Sequence, residues 1–245
     1  MPYRRLPNTD LARVRALKRV VEMSMMTPSD ELAFSHINLT KVQSFLPSFE
    51  QAVNQHKTAR KNQSAKSKKY NNLVKKARLY VSHFIQVLNF AIIRGELKPE
   101  VREYYQIEKD DKNVPSLSLE SELVEWGEKV IEGEQNRTRM GGGSAIYSPS
   151  IATVKVHYED FVEAHRYQKM LQNITQRASE KVAEQREMAD KLILDIWNEI
   201  EAKFENKTED EAREICEKYG VVYFYRPREK KKMEAMKLQQ NIKFE

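Results

Sequence analysis

Nine basic side chains crowd one stretch of this chain: Lys57, Arg60, Lys61, Lys66, Lys68, Lys69, Lys75, Lys76 and Arg78. With Arg94 they give residues 51–95 ten positive charges and no Asp or Glu. A segment so charged can neutralise phosphates along a nucleic-acid backbone and release their counterions. It can equally lie against carboxylates of its own chain. Residues 96–134 carry a net charge of −7 and residues 155–205 one of −3, enough acid to match all ten bases. Compensation within the molecule is therefore the first expectation. The nine bases are the contact residues of the alternative, nucleic-acid binding. Tyr70 and Tyr80 interleave them, but both occupy positions that helical spacing turns toward a core.

Other residues that could carry chemistry point nowhere in particular. The five histidines, His36, His56, His83, His157 and His165, never fall three or four apart. One face of a helix needs that spacing to hold an ion between two ligands. Gly141-Gly142-Gly143-Ser144 invites comparison with a phosphate loop, but the lysine and the preceding strand of that motif are missing. Arg137 and Arg139 stand just before the glycines, and a helix start follows at Ser150, so an anion is conceivable there. A flexible linker is the simpler expectation. No Gly-x-Ser-x-Gly elbow occurs. Cys216 lies in a Glu-rich segment, where neighbouring carboxylates raise a thiol's pKa. No cofactor and no metal are expected, and the chain is not read as an enzyme.

The elements that must position these residues are helices. Only seven glycines and eight prolines occur in 245 residues. None lies between Pro47 and Gly95 or between Pro149 and Gly220, which leaves room for two very long helices. The punctuation predicts helices over 10–26, 40–94, 99–107, 119–136, 151–205 and 209–218. Asn8 or Thr9 would cap the first and Thr208 the last, with Gly220 as its stop. Residues 27–39 and 110–118 read as loops, residues 221–225 as an aromatic, β-prone run.

A shift of 112 residues lays the second long helix on the first. Phe49 falls on Phe161, Ala52 on Ala164, Lys69 on Lys181 and Ala77 on Ala189. One seam runs Phe49, Ala52, His56, Ala59, Gln63, Lys66, Tyr70, Leu73, Ala77, Tyr80, Phe84. The other runs Phe161, Ala164, Gln168, Leu171, Thr175, Ala178, Val182, Gln185, Ala189, Leu192, Ile196. Steps of three and four alternate, as in a coiled coil, and both seams turn polar in the middle.

The run from Glu125 through Trp126 and Gly127 to Glu134, followed by Arg137, Gly141-Gly142 and Pro149-Ser150, resembles an uncharacterised bacterial family of duplicated long-helix proteins with no assigned activity. So does the later run through Asp195, Ile196 and Trp197 with Tyr219-Gly220-Val221. The resemblance spans residues 120–226 and the matching long helix before them. It implies the architecture and no chemistry.

The fold expected is all-α: an elongated helical bundle built on two long, internally duplicated antiparallel helices with short covering helices. Residues 1–39 form an N-terminal helix and loop, 40–140 a first repeat, 141–226 a second, and 227–245 a basic tail, in one continuous domain. The lone cysteine, the lack of an apolar leader and the lack of about eighteen consecutive apolar residues make the expectation cytoplasmic, with no membrane. The expected function is a non-enzymatic scaffold or protein-interaction bundle. Its partner is another protein, a second copy of the chain included.

Overall fold

The computed structural model describes residues 3–226 and Glu229. Apart from Glu229, the basic tail expected over 227–245 lies outside the described residues. The two stretches without Gly or Pro are the two long helices, α2 (His36–Ile93) and α4 (Ile151–Lys203). Pro47 sits inside α2 without ending it. The shorter elements are α1 (Asp10–Met26), a 3-10 helix (Pro99–Tyr105), α3 (Glu120–Arg139) and α5 (Glu209–Lys218). Strands β1 (Tyr3–Arg4) and β2 (Tyr223–Phe224) pair antiparallel, which realises the β-prone run as one short ladder. Among the described residues no helix is long and apolar enough to cross a membrane. The all-α expectation holds, with helices on nearly every segment.

Local chemistry explains where the helices begin and stop. Thr9 caps α1 by accepting the Ala12 N–H on its hydroxyl at 3.2 Å. Gly220, with φ of +95°, follows α5 in the left-handed region that closes a helix at low cost in glycine. α2 starts at His36, four residues before the expected Thr40, because its cap comes from far along the chain. The Glu199 carboxylate of α4 accepts the Ser35 N–H at 2.8 Å, the Ser35 hydroxyl at 3.0 Å and the Asn38 amide at 2.9 Å. An anion at a helix N-terminus satisfies free N–H groups and meets the positive end of the helix dipole.

The chain gathers into two compact units, one of Met1–Thr58 with Gln176–Glu245, the other of Ala59–Thr175. Each takes one half of α2 and one half of α4. The first unit adds α1, α5 and the two strands around a core that includes Leu17, Val42, Phe49, Ile193, Trp197 and Ile200. Its two long-helix halves run antiparallel, since Ser48 meets Gln185 while Ser35 and Asn38 meet Glu199. Two forked ion pairs clamp α1 to α4. Arg186 grips Asp10 at 2.8 and 2.9 Å, and Arg13 grips Asp190 at 2.7 and 2.9 Å. The hydrogen bonds from Arg186 hold the Asp10 carboxyl below its ordinary pKa.

The second unit places the 3-10 helix and α3 over the other halves, around Val81, Phe84, Leu88, Tyr105, Leu123, Val130 and Phe161. Here too the long helices oppose each other, with Tyr70 beside His165 and Tyr80 stacked on His157 at 4.1 Å. Two glycines let α3 approach closely. A methyl group on Gly127 would overlap the Tyr158 ring, and one on Gly133 would lie 2.8 Å from the Tyr104 carbonyl oxygen. The seams turn inward along both helices: of their twenty-two positions only Lys66 is exposed. Each fully buried aliphatic or Phe side chain contributes about 1.5–3 kcal/mol of transfer free energy.

The glycine segment after α3 is pinned, where the sequence suggested a flexible linker or an anion loop. Arg137 and Glu134 are buried and paired at 2.7 Å. Arg137 also donates to the Gly142 carbonyl at 2.7 Å and to the Ser144 carbonyl at 3.0 Å. Glu134 accepts the Ile146 N–H at 3.1 Å and the Tyr105 hydroxyl. The guanidinium that an anion would have needed is already engaged. Gly141 and Gly143, at φ of +74° and +98°, supply the backbone turn that brings those carbonyls round.

Candidate functional site

Lys61, Lys68 and Lys75 recur every seven residues and so form one stripe along α2. All three are exposed. Tyr70, Ala77, Val81 and Phe84, on the other side of the helix, are buried in or beside the core. Arg60, Lys66, Lys69 and Lys76 are exposed as well. Arg78 is half-buried and donates to the Ser118 carbonyl at 3.0 Å. Lys57 is exposed and belongs to the first unit. Among the described residues none of the nine bases lies within 4.0 Å of a carboxylate oxygen. The ion pairs among the described residues are made by other bases, Arg13, Lys129, Arg186 and Arg213 among them.

The flank of this basic face opens into a groove of about 360 Å³ between the α2 and α4 halves of the second unit. Lys66 and Lys69 form its α2 rim and Asp160 and Glu163 its α4 rim. Between them lie Tyr70, Leu73, Ala164, Tyr167 and Gln168. Gln168 also lines a shallower hollow of about 370 Å³ with Arg60, Gln63, Ser64 and Ser67. Its side-chain oxygen is buried and accepts no hydrogen bond. The sequence placed Gln168 on the inner seam but not among the functional candidates. The signal for it was its polarity in a row that otherwise reads Phe161, Ala164, Leu171.

Behind the groove, polar side chains from three elements meet. The Tyr70 hydroxyl lies 2.9 Å from Nδ1 of His165, and the same nitrogen lies 3.2 Å from the Glu120 carboxylate at the start of α3. Burial, reinforced by Glu120, pushes the Tyr70 hydroxyl well above its ordinary pKa. It is held protonated, as a hydrogen-bonding tie suits and a phenolate nucleophile does not. Cys216 is buried, and burial pushes its thiol up, ahead of the carboxylates of Glu201 and Glu217. No group of three His, Cys, Asp or Glu among the described residues could share a metal ion.

The first unit has a hollow of its own, about 480 Å³, lined by Arg5, Arg15, Arg19 and Asn8 over an apolar floor. Arg19 is engaged by the Lys218 carbonyl and Glu22, and Arg5 lies over the Phe224 ring at 5.6 Å.

Compared with protein-family models, curated proteins and solved structures, the chain matches none. The resemblance to a duplicated bacterial family rests on the quoted residues alone.

Proposed function

We propose that this chain is a binding protein whose ligand is the phosphate backbone of a nucleic acid, held on the basic face of α2. One observation carries the reading. Eight of the nine bases are exposed, and none of the nine has an ion-pair partner among the described residues. Internal compensation, the first expectation from sequence, would have placed carboxylates against them. Even Asp160 and Glu163, which share a groove with Lys66 and Lys69, stand beyond ion-pair distance. Cations left this way concentrate a polyanion and release its counterions on binding.

The test is a titration of labelled duplex and single-stranded oligonucleotides at low and physiological salt. Six phosphate contacts give a slope in log affinity against log salt of about −5 on a duplex and about −4 on a single strand. Changing Lys66, Lys68 and Lys69 together to Gln should flatten the slope by roughly 3 on a duplex and roughly 2 on a single strand, and weaken all sequences alike. Absence of binding at low salt, or an unchanged slope in the triple variant, removes the proposal.

A protein partner is the second reading, favoured by a separate observation. The stripe of Lys61, Lys68 and Lys75 continues into Leu79, Phe90 and Ile93, which are 62%, 54% and 63% exposed. On α4, Tyr167, Met170 and Ile174 are each nearly half exposed at spacings of three and four. Apolar side chains aligned on one helical face are what a partner helix packs against.

A further inference from the structure

We infer that the groove beside Lys66 and Lys69 is a base pocket, and that the nucleic acid bound is single-stranded, with a base turned in so that its exocyclic amino group donates to Gln168 Oε1. The inference rests on the proposed function and names its ligand class.

The groove has a direction. Its α2 rim is cationic, through Lys66 and Lys69, and its α4 rim is anionic, through Asp160 and Glu163. A nucleotide has the same polarity, phosphate at one end and amino-bearing base edge at the other. The carboxylates repel phosphate, so the strand's backbone stays on the α2 side while its bases reach toward α4. Gln168 stands deep in that path, 8% exposed, with a buried carbonyl oxygen that has no donor. Buried acceptors are nearly always paired, and Gln168 is one of the residues that line the groove. The cytosine N4 and adenine N6 amino groups supply the missing donor; thymine carries an oxygen at that position, and its one donor, N3–H, is recessed between two carbonyl oxygens. Tyr167, 46% exposed, gives the groove an aromatic wall against which any base can stack. A duplex is disfavoured, because turning one of its bases into the groove requires that base to be unstacked and unpaired first.

The experiment uses the full chain with oligodeoxycytidine, oligodeoxythymidine and a duplex of equal length. Single strands should bind more tightly than the duplex, and oligodeoxycytidine roughly tenfold more tightly than oligodeoxythymidine. Gln168→Leu should bring the two homopolymers to parity without changing the salt slope. Gln168→Glu, which keeps an acceptor in place, should retain the preference, so that a loss in the Leu variant is not a folding defect. Deoxycytidine monophosphate should compete only weakly. Equal affinity for the two homopolymers, a duplex bound as tightly as a strand, or a preference surviving in Gln168→Leu overturns the base pocket. The lysine-dependent salt slope then still stands by itself. Competition by the mononucleotide as effective as by the strand would make the occupant a free nucleotide and overturn the single-strand assignment. If no oligonucleotide binds, both readings fall together.

Discussion

Arg137 is fully buried, and each of its three guanidinium nitrogens is engaged. Sequence alone shows an arginine near three glycines and leaves open whether it waits for an anion. The answer depends on Glu134, three residues earlier, and on how the glycines fold back. Nothing local distinguishes Glu134 from the other eleven acids of residues 96–134. The pair sits where a lone charge is severely penalised, so its halves are unequal to their sum. Glu134→Gln leaves the Arg137 charge without its anion and should cost about 3–5 kcal/mol in urea unfolding. The double change Glu134→Leu with Arg137→Met should cost less than Glu134→Gln alone, because no buried charge is stranded. If the double variant is the less stable of the two, the pair is not an electrostatic unit. Burial, with Glu134 beside it, also pushes the Tyr105 hydroxyl far above its ordinary pKa, so that hydroxyl keeps its proton and donates to Glu134.

At the scale of elements, ends set by nearby residues were legible and ends set by distant ones were not. Thr9 and Gly220 mark α1 and α5 where the cap rules place them. The early start of α2 needed Glu199, more than 160 residues away in sequence. The stretch 99–107, expected as an ordinary helix, is a 3-10 helix ended by Gln106 at φ of 58°. Arg102 within it is buried and bonds Asn89 and the Lys109 carbonyl, ties that a helical pattern does not show. The two glycines of α3 carry a meaning that propensity misses. Inside a helix each is unfavourable by about 1 kcal/mol relative to Ala, yet here each marks a close crossing. Gly133→Ala should therefore destabilise rather than stabilise, by about 1–3 kcal/mol, since its methyl meets the Tyr104 backbone and the Tyr105 ring. Gly95, with no atom near its missing side chain but φ of +75°, is a control in which only backbone strain acts. A higher melting temperature for Gly133→Ala would mean that the crossing has slack.

For the whole molecule, the heptad pattern made the inner faces of both long helices readable, but it runs on without a break and so conceals the two cores. What separates them is the polar middle of each seam. On α2 no residue between Val53 and Tyr70 joins either apolar cluster, and on α4 none between Ala164 and Val182 does. The same polar middle carries Lys66 and Gln168, so the positions that weaken the seam also line the groove. Cores built from separate apolar clusters open separately, each with its own free energy. Phe84→Ala removes a fully buried ring from the second core and should cost that unit about 3–5 kcal/mol. In native-state hydrogen exchange the slowest amides of residues 59–175 should then speed up by roughly two to three orders of magnitude. The amides around Leu17, Val42 and Ile193, in the first core, should keep most of their protection. Phe49→Ala should produce the reverse pattern, because Phe49 is buried in the first core. Equal acceleration everywhere in both variants would show that α2 and α4, each continuous through its polar stretch, couple the units into one cooperative fold. The outcome also bears on binding, since a groove beside a seam that opens on its own can admit a base without unfolding the first core.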